Sequence, residues 1–192
     1  MFEKGWTQVG LAPPHVHKVL KIHHTPETIQ RFQLYQKSVK TRATVGGDDG
    51  RLSLDGNEVL RYWSTDFPDT LAHLSVTSRE ILLSESGRRA HEKLHEDGVE
   101  GDSLTRAMFI CRVIAGRVAR QRIGGALVEV EDGRFDSLLD GQDFLVLDPR
   151  AILPCFIVVY DDDIDGDSSP DWSNKLAGPT CSLSCYVHPI TN

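Results

Sequence analysis

Three stretches of the chain carry residue types that bind metals. Asp161-Asp162-Asp163-Ile164-Asp165-Gly166-Asp167 sets carboxylates at the first, third and fifth places and glycine at the sixth, as a calcium loop begins. Its twelfth place is Trp172, where such a loop needs a bidentate glutamate, and Pro170 obstructs a helical exit. A solvated acidic loop is the expectation. Cys181-x3-Cys185-x2-His188 offers three zinc-ligand types with no fourth, in a Ser/Pro-rich tail. His15, His17, His23 and His24 gather near the front. His15 and His17 share one face if their segment is a strand, but no cysteine or paired carboxylate accompanies them. No metal is expected at any of these places.

Other signatures of chemistry are missing. The chain has no G-x-S-x-G element, no P-loop and no H-E-x-x-H motif. His91 stands beside Glu92 in Arg88-Arg89-Ala90-His91-Glu92, an arrangement that charged helix surfaces produce by chance. Arg112, Arg117, Arg120 and Arg122 cluster in sequence and read as surface arginines on a strand and its exit loop rather than as a phosphate site.

The elements that must position these residues come from a chain of 192 residues, enough for one domain with a core. With 40% hydrophobic and 26% charged residues the composition is that of a globular protein. No apolar run approaches the ~18 residues of a membrane span, and the first residues lack the apolar centre of a signal peptide. An intracellular protein, nuclear or cytoplasmic, with no membrane contact is the expectation. Cys111 and Cys155 fit it, since both sit in apolar runs as small hydrophobes. The net charge of −7 is uneven: residues 1–43 hold seven Lys/Arg against two Asp/Glu, and residues 129–171 hold two against thirteen. An acidic total argues against nucleic acid as the main partner. The basic 18–42 segment is the one place where such binding could occur, and it reads first as a solvated helix face.

Ala107–Ile114, Asp143–Asp148 and Pro154–Tyr160 are apolar runs bounded by Gly, Pro and Asp, and predict core strands of one sheet. His15–Ile22 alternates and predicts another strand. Thr25-Pro26-Glu27 opens a helix: Thr25 caps, Pro26 suits the first helical position and Glu27 meets the positive end of the dipole. Ile29, Phe32, Tyr35 or Gln36, and Val39 give its apolar face, to about Ala43. Thr44–Ser53 reads as a loop, Asp55-Gly56-Asn57 as a turn, Glu58–Thr65 and Arg79–Ser84 as strands, and Ser86–His95 as a Ser-capped helix. Gly116–Leu139 reads as loop-rich. Few helices among short strands predict an α+β fold with a mainly antiparallel sheet.

Five blocks together resemble the catalytic domain of poly(ADP-ribose) polymerases (PARPs), more closely a plant group in which that domain accompanies a zinc finger. They are HTPETIQRFQLYQKSVKTRA (24–43), DGNEVLRYWST (55–65), ILLSESGRRAHEKL (81–94), RAMFICRVIAGRV (106–118) and FLVLDPRAILPCFIVVY (144–160). The resemblance implies an ADP-ribosyltransferase fold over residues 15–160, with an N-terminal arm (1–14) and an acidic loop and tail (161–192). It also implies an NAD cleft with a His, a Tyr and a Glu. Here the His position falls at Trp63, followed by Ser64, the Tyr position at Leu82, and the Glu position at Cys155 after Pro154. The plant group carries the same Leu-Pro-Cys run and shares the loss of Glu; the loss of His is this chain's own.

A thiol in an apolar strand offers no fixed negative charge to a cationic transition state, and losing that term costs several kcal/mol of barrier. The expectation is therefore a pseudoenzyme that works through an unknown protein partner. Trp63, Ser64, Leu82, Ser86 and Cys155 would mark a vestigial NAD cleft, with no cofactor held. The alternatives are an NAD-using enzyme with Glu58, Glu85 or Asp148 as substitute carboxylate, and a nucleic-acid module built on the 18–42 segment.

Overall fold

The computed structural model describes residues 14–47, 50–66, 81–96, 105–120, 135–161 and 185–189. The chain order is β1 (Val16–His24), α1 (Pro26–Val45), α2 (Arg51–Asp55), β2 (Glu58–Asp66), β3 (Ile81–Ser84), α3 (Gly87–Glu96), β4 (Thr105–Ile114), β5 (Val118–Arg120), β6 (Ser137–Asp140), β7 (Asp143–Val146), a 3-10 turn (Pro149–Ala151), β8 (Ile152–Asp161) and β9 (Cys185–Pro189). Among the described residues nine strands form one sheet in the order β5-β6-β7-β3-β2-β4-β8-β1-β9. Every pairing is antiparallel except β5 with β6. This is the expected mixture of helices and a mainly antiparallel sheet.

The centre of the sheet is β2-β4-β8, where the apolar runs lie. Successive strand residues face opposite ways, so β4 feeds two cores. Phe109 and Val113 join Leu83, Val146 and Ile157 in the larger cluster, which α1 enters through Phe32, Tyr35 and Val39. Met108 joins Tyr62, Val158, Tyr160 and Ala90 of α3 in the smaller one on the other face. Side chains buried on both faces explain why β4 and β8 read as continuous apolar runs rather than as alternation.

The local signals act as their chemistry requires. Thr25 Oγ1 accepts from Thr28 N at 3.3 Å and caps α1. The N–H groups at the start of α1, together with Thr25, hold the Glu27 carboxyl below its ordinary value. Ser86 Oγ accepts from Arg89 N at 3.2 Å and caps α3. Asp55 Oδ1 accepts from Asn57 N at 2.8 Å, closing a turn in which Gly56 sits at φ 73°.

Several expectations need correction. The stretch expected to be loop from Thr44 to Ser53 contains the end of α1, which runs on to Val45, and the start of α2; a single turn such as RLSLD is too short to show a helical period. Gly116–Leu139 contains β5 and most of β6, strands of three and four residues that are likewise too short to alternate visibly. Ile29 is 39% exposed rather than core, because the buried stripe of α1 starts at Phe32. The sheet also extends past residue 160, since β9 adds an edge to β1 with Ile22 opposite Val187. The connector at 66–78 beyond Asp66, the loop expected at 96–103 beyond Glu96, Arg122, most of the acidic loop (162–171) and Cys181 lie outside the described residues, as do residues 1–13 of the N-terminal arm. Among the described residues no helix is long and apolar enough to cross a membrane.

Candidate functional site

The positions at which a PARP-like catalytic group was expected fall on both faces of the sheet. Trp63 on β2 pairs with Phe109 on β4 and stacks on its ring, with centroids 5.4 Å apart and planes at 25°. It belongs to the larger apolar cluster. Leu82 lies between Ile81 and Leu83, both buried in that same cluster, so it points to the opposite face and is 38% exposed. Trp63 and Leu82 therefore do not line a common cavity wall. Ser64 is buried beside Tyr160, with Oγ 2.9 Å from the phenol oxygen, which in turn lies 3.2 Å from His91 Nδ1. Ser86 is occupied as the cap of α3.

Cys155 is the extra residue of a bulge. Ile110 pairs with Phe156 and Cys111 with Pro154, leaving Cys155 unmatched on β8. A bulge re-aims one side chain of a strand and is a frequent neighbour of functional positions. The Cys155 thiol donates to Leu153 O at 3.4 Å. Burial pushes this thiol up and the Glu58 carboxylate pushes the same way, against the opposing pull of Arg112 and Lys21. Cys111, fully enclosed in the core, is raised further by the same cause. Both groups are neutral thiols at physiological pH.

This has a measurable consequence. Alkylation of Cys155 by iodoacetamide, followed peptide by peptide, is expected to be slower at pH 8 than that of a free cysteine. The rate should still be climbing where a thiol of ordinary pKa, about 8.5, has levelled off. A rate that is faster than the free thiol, or flat above pH 8, is the contrary result.

Two of the three substitute carboxylates are engaged by arginine. Glu58 accepts from Arg112 Nε at 2.5 Å and from Gln36 Nε2 at 2.9 Å. Asp148 receives Arg150 N at 2.8 Å and Arg150 Nη2 at 2.6 Å. Burial works against the Asp148 charge, but the side chain, backbone N–H and charge of Arg150 together hold its carboxyl below the ordinary value. Glu85 is exposed and lies near the half-buried Arg61, whose guanidinium is depressed by burial and lifted by Glu85. Glu58 and Asp148 are thus each committed to an arginine.

Two arginines beside α1, one from the front segment and one from the 3-10 turn, are also paired. Arg42 pairs with Asp136 and Arg150 with Asp148. A pocket of about 300 Å³ along α1 is lined by Glu27, Arg31, Leu34, Tyr35, Arg42 and Arg150 among others, so acidic and basic groups mix there.

One cluster escaped the sequence reading. His15, His17 and Asp161 each bring one potential ligand atom, all within 4.8 Å of one another. His17 Nε2 stands 2.5 Å from Asp161 Oδ2, and the two imidazoles meet edge to face with centroids 4.8 Å apart. The pairing of β1 with β8 explains the meeting. Val16 pairs with Tyr160 and Lys18 with Val159, so His17 is itself the extra residue of a bulge. Asp161 N donates to His15 O at 3.0 Å, which brings the end of β8 to the start of β1. The carboxylate missing from the neighbourhood of the histidines in sequence comes from about 145 residues further on. In sequence Asp161 could be read only as the first place of a calcium-like loop. His23 and His24 take no part; His24 Nε2 instead lies 2.5 Å from Pro154 O. No protein-family model matches the chain, and no curated protein matches it with significance.

Proposed function

We propose that the chain is a PARP-like domain of ADP-ribosyltransferase fold without transferase chemistry, acting through contact with another protein. The observation that carries this is Cys155. On the resemblance it stands where the family holds its glutamate, and it is a half-buried, neutral thiol at a bulge of the central strand. The thiol supplies no negative charge to meet an oxocarbenium-like transition state, and Glu58, whose charge acts on it, is already committed to Arg112 and Gln36. Further support comes from Trp63, whose indole is stacked into the apolar cluster rather than presented as imidazole would be to a ribose. The mainly antiparallel sheet with one long helix is also the architecture that the resemblance implies. The contact surface is expected on the α1–α2 side, where Leu34, Val45 and Leu54 are 59%, 85% and 72% exposed.

The test is direct. Purified protein incubated with millimolar NAD should release no nicotinamide beyond a Cys155→Ala control and should show no NAD-dependent shift in melting temperature. Turnover above that control sinks the pseudoenzyme reading; a thermal shift without turnover would make the domain an NAD-binding module instead.

A further inference from the structure

The cluster at the start of β1 has the composition of a metal centre, and it lies away from Cys155 along β8. Asp161 ends β8, and Cys155 lies six residues before it, about 20 Å away along the strand. We infer that His15, His17 and Asp161 bind a divalent transition-metal ion, zinc in the first instance. Two imidazoles and one carboxylate are the donor set that zinc and its neighbours favour, whereas calcium and magnesium take oxygen ligands.

The geometry suits one small ion. Ligand atoms bound at about 2.0–2.1 Å to a tetrahedral ion lie about 3.3–3.4 Å from one another. The three atoms here span at most 4.8 Å, with the closest pair at 2.5 Å. Reaching that spacing asks each pair of these atoms to change its separation by about 1.5 Å or less. The frame is rigid where it needs to be: the His17 bulge and the hydrogen bond from Asp161 N to His15 O fix the two strand ends together. His15 is exposed, so an ion can enter from its side, while the side chains of His17 and Asp161 are 16% and 17% exposed. Three protein ligands leave a fourth position for water or a ligand atom from another molecule, the pattern of reactive rather than closed structural zinc sites.

Equilibrium dialysis of the metal-free full chain against zinc, and titration with cobalt followed by its visible ligand-field absorption, test the site. The expected result is one ion per chain at micromolar or lower free metal. His15→Ala, at an exposed position that should leave the fold intact by circular dichroism, and Asp161→Asn should each weaken binding at least about tenfold. His23→Ala should leave it unchanged. No saturable binding below millimolar metal overturns the assignment. So does binding that His15→Ala and Asp161→Asn leave untouched, since the ion would then sit elsewhere, as on the cysteines and histidine of the tail.

Discussion

Replacing Phe109 with alanine is expected to destabilise the protein by about 3–5 kcal/mol. Phe109 has no exposed surface and lies at the middle of β4, flanked in register by Trp63 on β2 and Ile157 on β8. Removing its ring deletes the partner on which Trp63 stacks and opens a cavity among residues from three strands. The neighbours cannot collapse into that space, because each is held by a hydrogen-bonded strand on both sides. Trp63→Phe should cost much less, since Trp63 is only partly buried and an aromatic ring is kept. Urea denaturation of both variants at neutral pH checks this. A Phe109→Ala loss below 1 kcal/mol would mean that the Trp63–Phe109 stack is not part of the core, and the reading of Trp63 as a core side chain would lose its basis.

What could be read in the sequence followed the strength of its local signals. β4 and β8 announce themselves because burial on both faces demands unbroken Val, Ile, Phe and Leu. α1 does so through a cap, a proline and a stripe of Phe32, Tyr35 and Val39. β5 and β6 give no such signal: three or four residues cannot display a period, and they pair with each other across the long stretch between them. β9 is hidden for a different reason. CYVHP is short and ends in Pro189, which an edge strand tolerates and a central strand does not, and it sits at the border of the sheet.

The sites were less legible than the elements, and two bulges account for much of this. Alternation predicts where a side chain points only while the register holds. At His17 and at Cys155 it slips by one residue, and these are the two positions where the chain presents groups of chemical interest. The meeting of Asp161 with His15 and His17 is a fact of strand pairing between the first and the penultimate described strands, which no local motif encodes. In sequence the same aspartate is one of thirteen acids between residues 129 and 171.

Asp136 is hidden in that same acidic run, and Asp136→Ala is expected to cost about 3 kcal/mol. Its carboxylate is 10% exposed and ties together three parts of the fold. Oδ1 accepts from the Tyr35 phenol at 3.2 Å and from Arg42, both on α1, and Oδ2 accepts from Arg117 N at 2.9 Å at the turn leaving β4. Burial, with the Asp136 charge adding to it, pushes the Tyr35 phenol well above its ordinary value, so the hydroxyl stays protonated and donating. The turn is shaped around the carboxylate: Gly116 takes φ 59°, and a Cβ there would lie 2.3 Å from Asp136 Oδ2. Truncating Asp136 leaves a buried hydroxyl and a part-buried N–H without their acceptor, which is why the loss exceeds that of a surface ion pair. Arg42→Ala, whose side chain is 44% exposed, should cost under about 1 kcal/mol. Gly116→Ala should be as damaging as Asp136→Ala, and the two should not add, because both release the same turn from α1. Denaturation curves for the two single variants and the double variant decide the matter: full additivity would show that Asp136 and Gly116 act separately and that α1 is held to the sheet by its apolar stripe alone.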